Sequence, residues 1–200
     1  VLGESNYKGM KIFSIMTPGT RSYMDEWLMH QIYIGEDVLT TRYDFVPVVI
    51  NDKKMGVYAM EEHFTKELLS VNNRQDGPIL KIAETGYWEV TQKEKLDNQS
   101  YQNDLPIYEA CVIEPFGKKR ILSSPSLKQA FLKGQNLLYK FKNGSCNVDS
   151  LLQLDKLAKL YAIADLGKIL HGIATHNQRW YYDPEENRLE PIAYDLCSND

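Results

Sequence analysis

The 200-residue sequence predicts an α+β domain: an antiparallel sheet followed by a mainly helical C-terminal part. Three observations predict it. Alternating apolar runs flank polar turns at Tyr43–Met60 and again at Trp180–Tyr194, as hairpins require. Two long stretches, Ser126–Phe141 and Leu151–Leu170, carry apolar residues at helical spacing. The composition is 43% hydrophobic with 13 Tyr and 3 Trp, enough to bury the core that such elements need.

The elements follow in order. Behind the turn Pro18-Gly19-Thr20, Met24, Trp27, Leu28, Gln31 and Ile32 mark an amphipathic helix over Arg21–Ile34. Tyr43–Ile50 and Gly56–Met60 flank Asn51-Asp52-Lys53-Lys54, whose Asn and Asp tolerate left-handed backbone, so the pair reads as a hairpin. Pro47 cannot donate to a ladder and belongs at an edge or a bulge. A short helix over Phe64–Val71 and the strand Ile79–Ile82 complete a sheet-rich part, residues 1–83. Residues 84–124 show no stable period and read as an irregular insertion with a strand near Ala110–Ile113. In residues 125–200 the breaker Lys142-Asn143-Gly144-Ser145 separates the two long helices. The second has a broad apolar face, Leu154, Leu157, Ala158, Tyr161, Ala162, Leu166, Ile169 and Leu170, and is expected to be buried.

Charge and motifs exclude several functions. A net charge of −4 offers no basic footprint for nucleic acid. No apolar run reaches the roughly 20 residues that cross a bilayer. Cys111, Cys146 and Cys197 are odd in number and contain no Cys-x-x-Cys pair, which argues against a zinc knuckle or a disulfide framework. There is no Gly-x-Ser-x-Gly elbow and no Gly-rich phosphate loop. The chain begins at Val1 without Met and ends at Asp200 just past a strand end, which reads as a single domain cut at both ends.

The informative stretch is a helix ending near Leu170, the polar loop His171–Asn177, a hairpin, and then Asp195. Phosphoryl transfer needs a divalent metal to neutralise phosphate charge, and a loop Asn with a strand-end Asp supplies such a site. Asn177 and Asp195 flank the two strands of one hairpin, so the fold would bring them together despite 18 residues of separation. The alternative is that Asn177 is a turn residue and Asp195 a solvated strand end. His171 and His176 with Asp195 suggest a hydrolytic zinc site less well, because residues five apart are not the i,i+4 pair of a helical site. His30 and His63 read as completing helix surfaces. Trp88, Trp180, Tyr181 and Tyr182 would stack on sugars if exposed, but belong more naturally to a core.

Three segments share a resemblance. Ile50-Asn51 through Gly56-Val57-Tyr58 to Glu62, then Gly77-Pro78-Ile79-Leu80-Lys81, then Asn177–Tyr182 closing at Pro191-Ile192-Ala193-Tyr194-Asp195, resemble in order the spore-coat-protein-H (CotH) kinase-like family. The likeness spans roughly Arg21–Asp195, interrupted by the unmatched insertion. It implies an atypical protein-kinase-like fold and transfer of phosphate from ATP, with Mg2+ or Mn2+, to Ser or Thr of a coat or envelope protein. It also implies an extracellular or envelope location. On the matching positions Asn177 and Asp195 become metal ligands, and Glu62 with Lys81 the charged pair at the nucleotide phosphates. Read without the family, Glu62 is a first-turn acid of the following helix and Lys81 a solvated strand residue.

The sequence departs from the family where the general base belongs. Counting back from Asn177, Gly172 or His171 stands in place of the expected Asp. His171 is the candidate substitute, since neutral imidazole accepts a proton near pH 7. The loss equally suits a pseudokinase that binds nucleotide without transfer, or an envelope or carbohydrate-binding scaffold.

Overall fold

The computed structural model describes residues 5–83, 85–98 and 111–196. Among these, strands and helices build an α+β structure with two antiparallel sheets rather than the one expected. The first sheet holds β1 (Phe13–Met16), β2 (Tyr43–Ile50) and β3 (Lys53–Glu62), with β3 in the centre. Asn51 and Asp52, both with positive φ (49° and 61°), form the two-residue turn between β2 and β3, the geometry that matches strand twist. Pro47 lies on the edge strand β2, just before a register shift at Val48/Val49, where its missing N–H does no harm.

The second sheet runs β5 (Val112–Pro115), β4 (Ile79–Ala83), β6 (Arg179–Asp183) and β7 (Arg188–Ile192). Thus β4 leaves its sequence neighbours and pairs with the C-terminal hairpin, while the described chain from residue 125 on is otherwise mainly helical, as expected. This sheet is covered on both faces. Trp180 and Tyr182 pack with Leu80, Ile82 and Leu138, the last on a helix here numbered α5 (Pro125–Lys142). Tyr181 and Ile79 point the other way, onto Leu68 and Leu69 of α2 (Lys66–Val71). The period-2 alternation of a strand explains why three consecutive aromatics are all buried, at 3%, 1% and 1% exposure.

A third cluster joins α1 (Met24–Gly35) to α6 (Leu154–Gly167) through Met29, Tyr33, Leu160 and Ala164. Tyr33 Oη donates to the Leu160 carbonyl at 3.0 Å. The chain before β2 and the chain after β7 meet in a parallel bridge, Thr40 with Ala193, which ties the two sheets together.

Two expectations change. The stretch 84–124 is not irregular where it is described: it contains α3 (Thr85–Asp97), β5 and α4 (Lys118–Ser123). Ala110 lies outside the described residues, as does Cys197. The expected helix Leu151–Leu170 is shorter and only partly buried, with Leu154, Tyr161 and Leu166 exposed; Leu170 begins a separate turn, α7 (Leu170–Ile173). One face suffices to pack α6 against α1 and β7, so the outer apolar residues remain in water.

Candidate functional site

Asn177 and Asp195 do come together. The β6–β7 hairpin returns the chain so that Asn177 Nδ2 lies 3.0 Å from Asp195 Oδ2. The same amide donates to the His171 carbonyl at 3.1 Å, and His171 Nε2 lies 3.1 Å from Asp195 Oδ2. The other oxygen, Asp195 Oδ1, accepts from Arg21 Nη1 at 2.5 Å. Asp195 itself sits in the left-handed region (φ 57°), which Asp tolerates better than most residues.

Arg21 was not legible as a site residue. Its 3-10 turn (Pro18–Arg21) ends in Ser22 and Tyr23, both with positive φ, and this reversal precedes α1. The guanidinium meets three carboxylates: Asp195 closely, and Glu26 and Glu61 at 3.3 Å each. Burial opposes its charge, but the fields of Glu61, Glu26 and Asp195 outweigh that and push its pKa above the ordinary value. Burial pushes the Glu61 carboxyl up to about 7; Arg21 pulls it down, while Glu26 and Asp195 reinforce the rise.

Glu26 and His30 share one face of α1 as an i,i+4 pair, with His30 Nε2 3.2 Å from Glu26 Oε1. His30 is not on the helix surface: it is fully buried, stacked on Tyr43 and bonded through Nδ1 to Thr40 Oγ1 at 2.6 Å. His63 is exposed at the end of β3 and lies 2.8 Å from Ser14 Oγ, so it belongs to a strand end, not a helix.

Glu62 and Lys81 are not partners. Glu62 is held in a two-point ion pair by Arg42, with Nε 2.7 Å from Oε2. Lys81 projects from β4 beside Arg179 of β6, its register partner, with its ammonium 5.5 Å from the Phe116 ring. Lys81, Trp88, His176 and Arg179 line an open cleft of about 570 Å³. The Tyr194 ring touches both arginines, 5.1 Å from the guanidinium carbons of Arg21 and Arg179 alike, and so borders both this cleft and the carboxylate cluster.

A magnesium ion shared by Asn177 and Asp195 does not fit this arrangement. Both Asp195 oxygens are engaged, one of them by a guanidinium. The Asn177 amide presents NH2 to two acceptors, which fixes its orientation and turns its oxygen away from the acid. An ionised Asp195 only accepts, so the His171 nitrogen facing it carries the proton. His171 could act as a base only through Nδ1.

No family model matches the sequence, and no curated protein matches it.

Proposed function

We propose that this chain is a kinase-like domain of the CotH type that binds nucleotide phosphates without efficient transfer, a pseudokinase. The observation that carries this reading is the Arg21–Asp195 pair, 2.5 Å apart, which neutralises the acid that a catalytic metal would need. The missing Asp at Gly172 and His171 points the same way. Phosphate binding is assigned to the cleft of Lys81, His176 and Arg179, whose volume suits a small ligand and whose cations suit an anion. Trp88, 57% exposed on its wall, offers a ring for a base. A coat or envelope protein as partner, and an extracellular or envelope location, follow from the family resemblance alone.

The sugar-binding alternative loses its main support, because Trp180, Tyr181 and Tyr182 are core residues. Two assays test the proposal together. ATP should bind wild-type protein and bind Lys81→Ala about tenfold more weakly, the loss of one charge-assisted contact worth about 1.5 kcal/mol. Radiolabelled γ-phosphate should not transfer to Ser- or Thr-containing acceptors above the no-protein rate. Transfer abolished by Asp195→Asn would instead show an active kinase.

A further inference from the structure

We propose that Glu26, His30 and Glu61 form a buried binding site for a first-row transition-metal dication, zinc in preference to magnesium, with Thr40 as the residue that positions His30. Glu26 and His30 come from adjacent turns of α1, and Glu61 from the central strand β3. One ligand atom from each lies within 4.8 Å of the other two. Tetrahedral zinc, with bonds of about 2.0–2.1 Å, would draw such atoms to roughly 3.3 Å, a closure within reach of the glutamate torsions.

Two observations point to a missing ligand. Glu26 Oε2 and Glu61 Oε1 are buried and have no hydrogen-bond partner among the described residues, on side chains only 0% and 5% exposed. Unsatisfied buried carboxylate oxygens are costly, and a cation between them removes the cost. The second is the setting of His30. Thr40 Oγ1 donates to the Ala193 carbonyl at 3.0 Å, so its lone pair must accept from His30 Nδ1–H. With Nδ1–H so committed, Nε2 faces Glu26 Oε1 at 3.2 Å; the proton held between them leaves when a metal binds, and Nε2 then ligates on a ring oriented by a fixed partner, as metal-bound imidazoles are.

Charge completes the case. Three acidic side chains face the one guanidinium of Arg21, an acidic excess that a dication would balance; Arg179 adds a weaker positive field at Glu61. Arg21 leans toward Asp195 and stands farther from both glutamates, which leaves their free oxygens open. Arg21 and Asp195 retain 11% and 16% side-chain exposure and mark the path for entry. An imidazole with two carboxylates favours zinc over hard, oxygen-preferring magnesium or calcium.

The test uses the chelator-stripped 200-residue chain without nucleotide, so its outcome is independent of phosphate binding. Zinc should bind at one equivalent and raise the melting temperature, while magnesium and calcium do neither. Mn2+, as a paramagnetic probe, should broaden the ring protons of His30 before those of His63, His171 and His176. Glu61→Gln and His30→Gln should weaken zinc by more than about 100-fold, beyond the 10–100-fold loss expected for Thr40→Val, since outer-shell partners cost that much. If a variant fails to fold, the wild-type Mn2+ broadening decides. The proposal is overturned by zinc leaving the melting temperature unmoved, by Mn2+ broadening another histidine first, or by affinity that survives both ligand substitutions.

Discussion

Arg21 is the residue that holds the carboxylate cluster together. Its side chain is only 11% exposed, and the guanidinium meets Glu26, Glu61 and Asp195, which lie 5, 40 and 174 positions away. Arg21→Met keeps much of the volume but removes this cation from the buried Glu26 and Glu61 and the partly buried Asp195. In metal-free protein it should cost about 3–5 kcal/mol in urea unfolding, the usual penalty for breaking a buried pair. A loss under about 1 kcal/mol would mean that the carboxylates are already protonated or otherwise compensated. None of this was legible in the sequence, where Arg21 simply opens a helix. His30 is the same case. Its i,i+4 spacing to Glu26 was in plain view, but its burial depends on Thr40 and Tyr43, which no local pattern reveals. Asn177 and Asp195 were legible because a hairpin imposes its own proximity.

Among elements, α5 packs closest to the second sheet at Gly134. A Cβ there would meet Tyr182 Cβ at 2.8 Å and Leu80 Cδ1 at 3.2 Å. Gly134→Ala would gain about 1 kcal/mol of helix propensity, yet overpacking typically costs 1–3 kcal/mol, so net destabilisation of up to about 2 kcal/mol is expected in chemical denaturation. A more stable variant would show that α5 can lift from the sheet freely. The C-terminal end of α1 is tied to α6 by Asp37, whose Oδ2 lies 2.5 Å from Lys156 Nζ, and Arg74 joins at 3.2 Å. The Lys156 hydrogen bond, against a small burial effect and aided by Arg74, holds the Asp37 pKa below its ordinary value. A depressed carboxyl stabilises the fold above the unfolded-state pKa, and the gain disappears as pH falls through the folded value. Because Asp37 is 72% exposed, Asp37→Asn should cost only about 0.2–1 kcal/mol at neutral pH. The difference from wild type should vanish in strong acid and shrink in salt; a difference independent of pH would point to packing instead.

The elements divide by what makes them readable. The β2–β3 and β6–β7 hairpins announce themselves through turn chemistry and period-2 alternation, and both appear where expected. The helix Thr85–Asp97 was missed because it has no apolar stripe; its Gln92, Lys93, Glu94, Lys95 and Leu96 favour helix by propensity alone. For α6 the apolar spacing was real and the inference of full burial was not, since Leu166 is 85% exposed.

At the scale of the whole molecule, the allocation of β4 matters most. Pairing with β6 instead of the β2–β3 hairpin carries Lys81 to Arg179 and away from Glu62, which Arg42 holds in the first sheet. Strand exchange between sheets depends on long-range packing, so the sequence pattern did not disclose it. The result is a cleft lined by Lys81, His176 and Arg179 and, around Arg21, a carboxylate cluster, with Tyr194 in contact with both arginines. The two are chemically opposite, and the proposed anion and cation sites divide accordingly. Isothermal titration with ATP, run with magnesium and again in chelator, tests this division most directly. Wild-type protein should bind ATP with an affinity that magnesium does not change, and Asp195→Asn should leave that affinity intact. Binding that requires magnesium and disappears in Asp195→Asn would contradict the account, as would the absence of any binding.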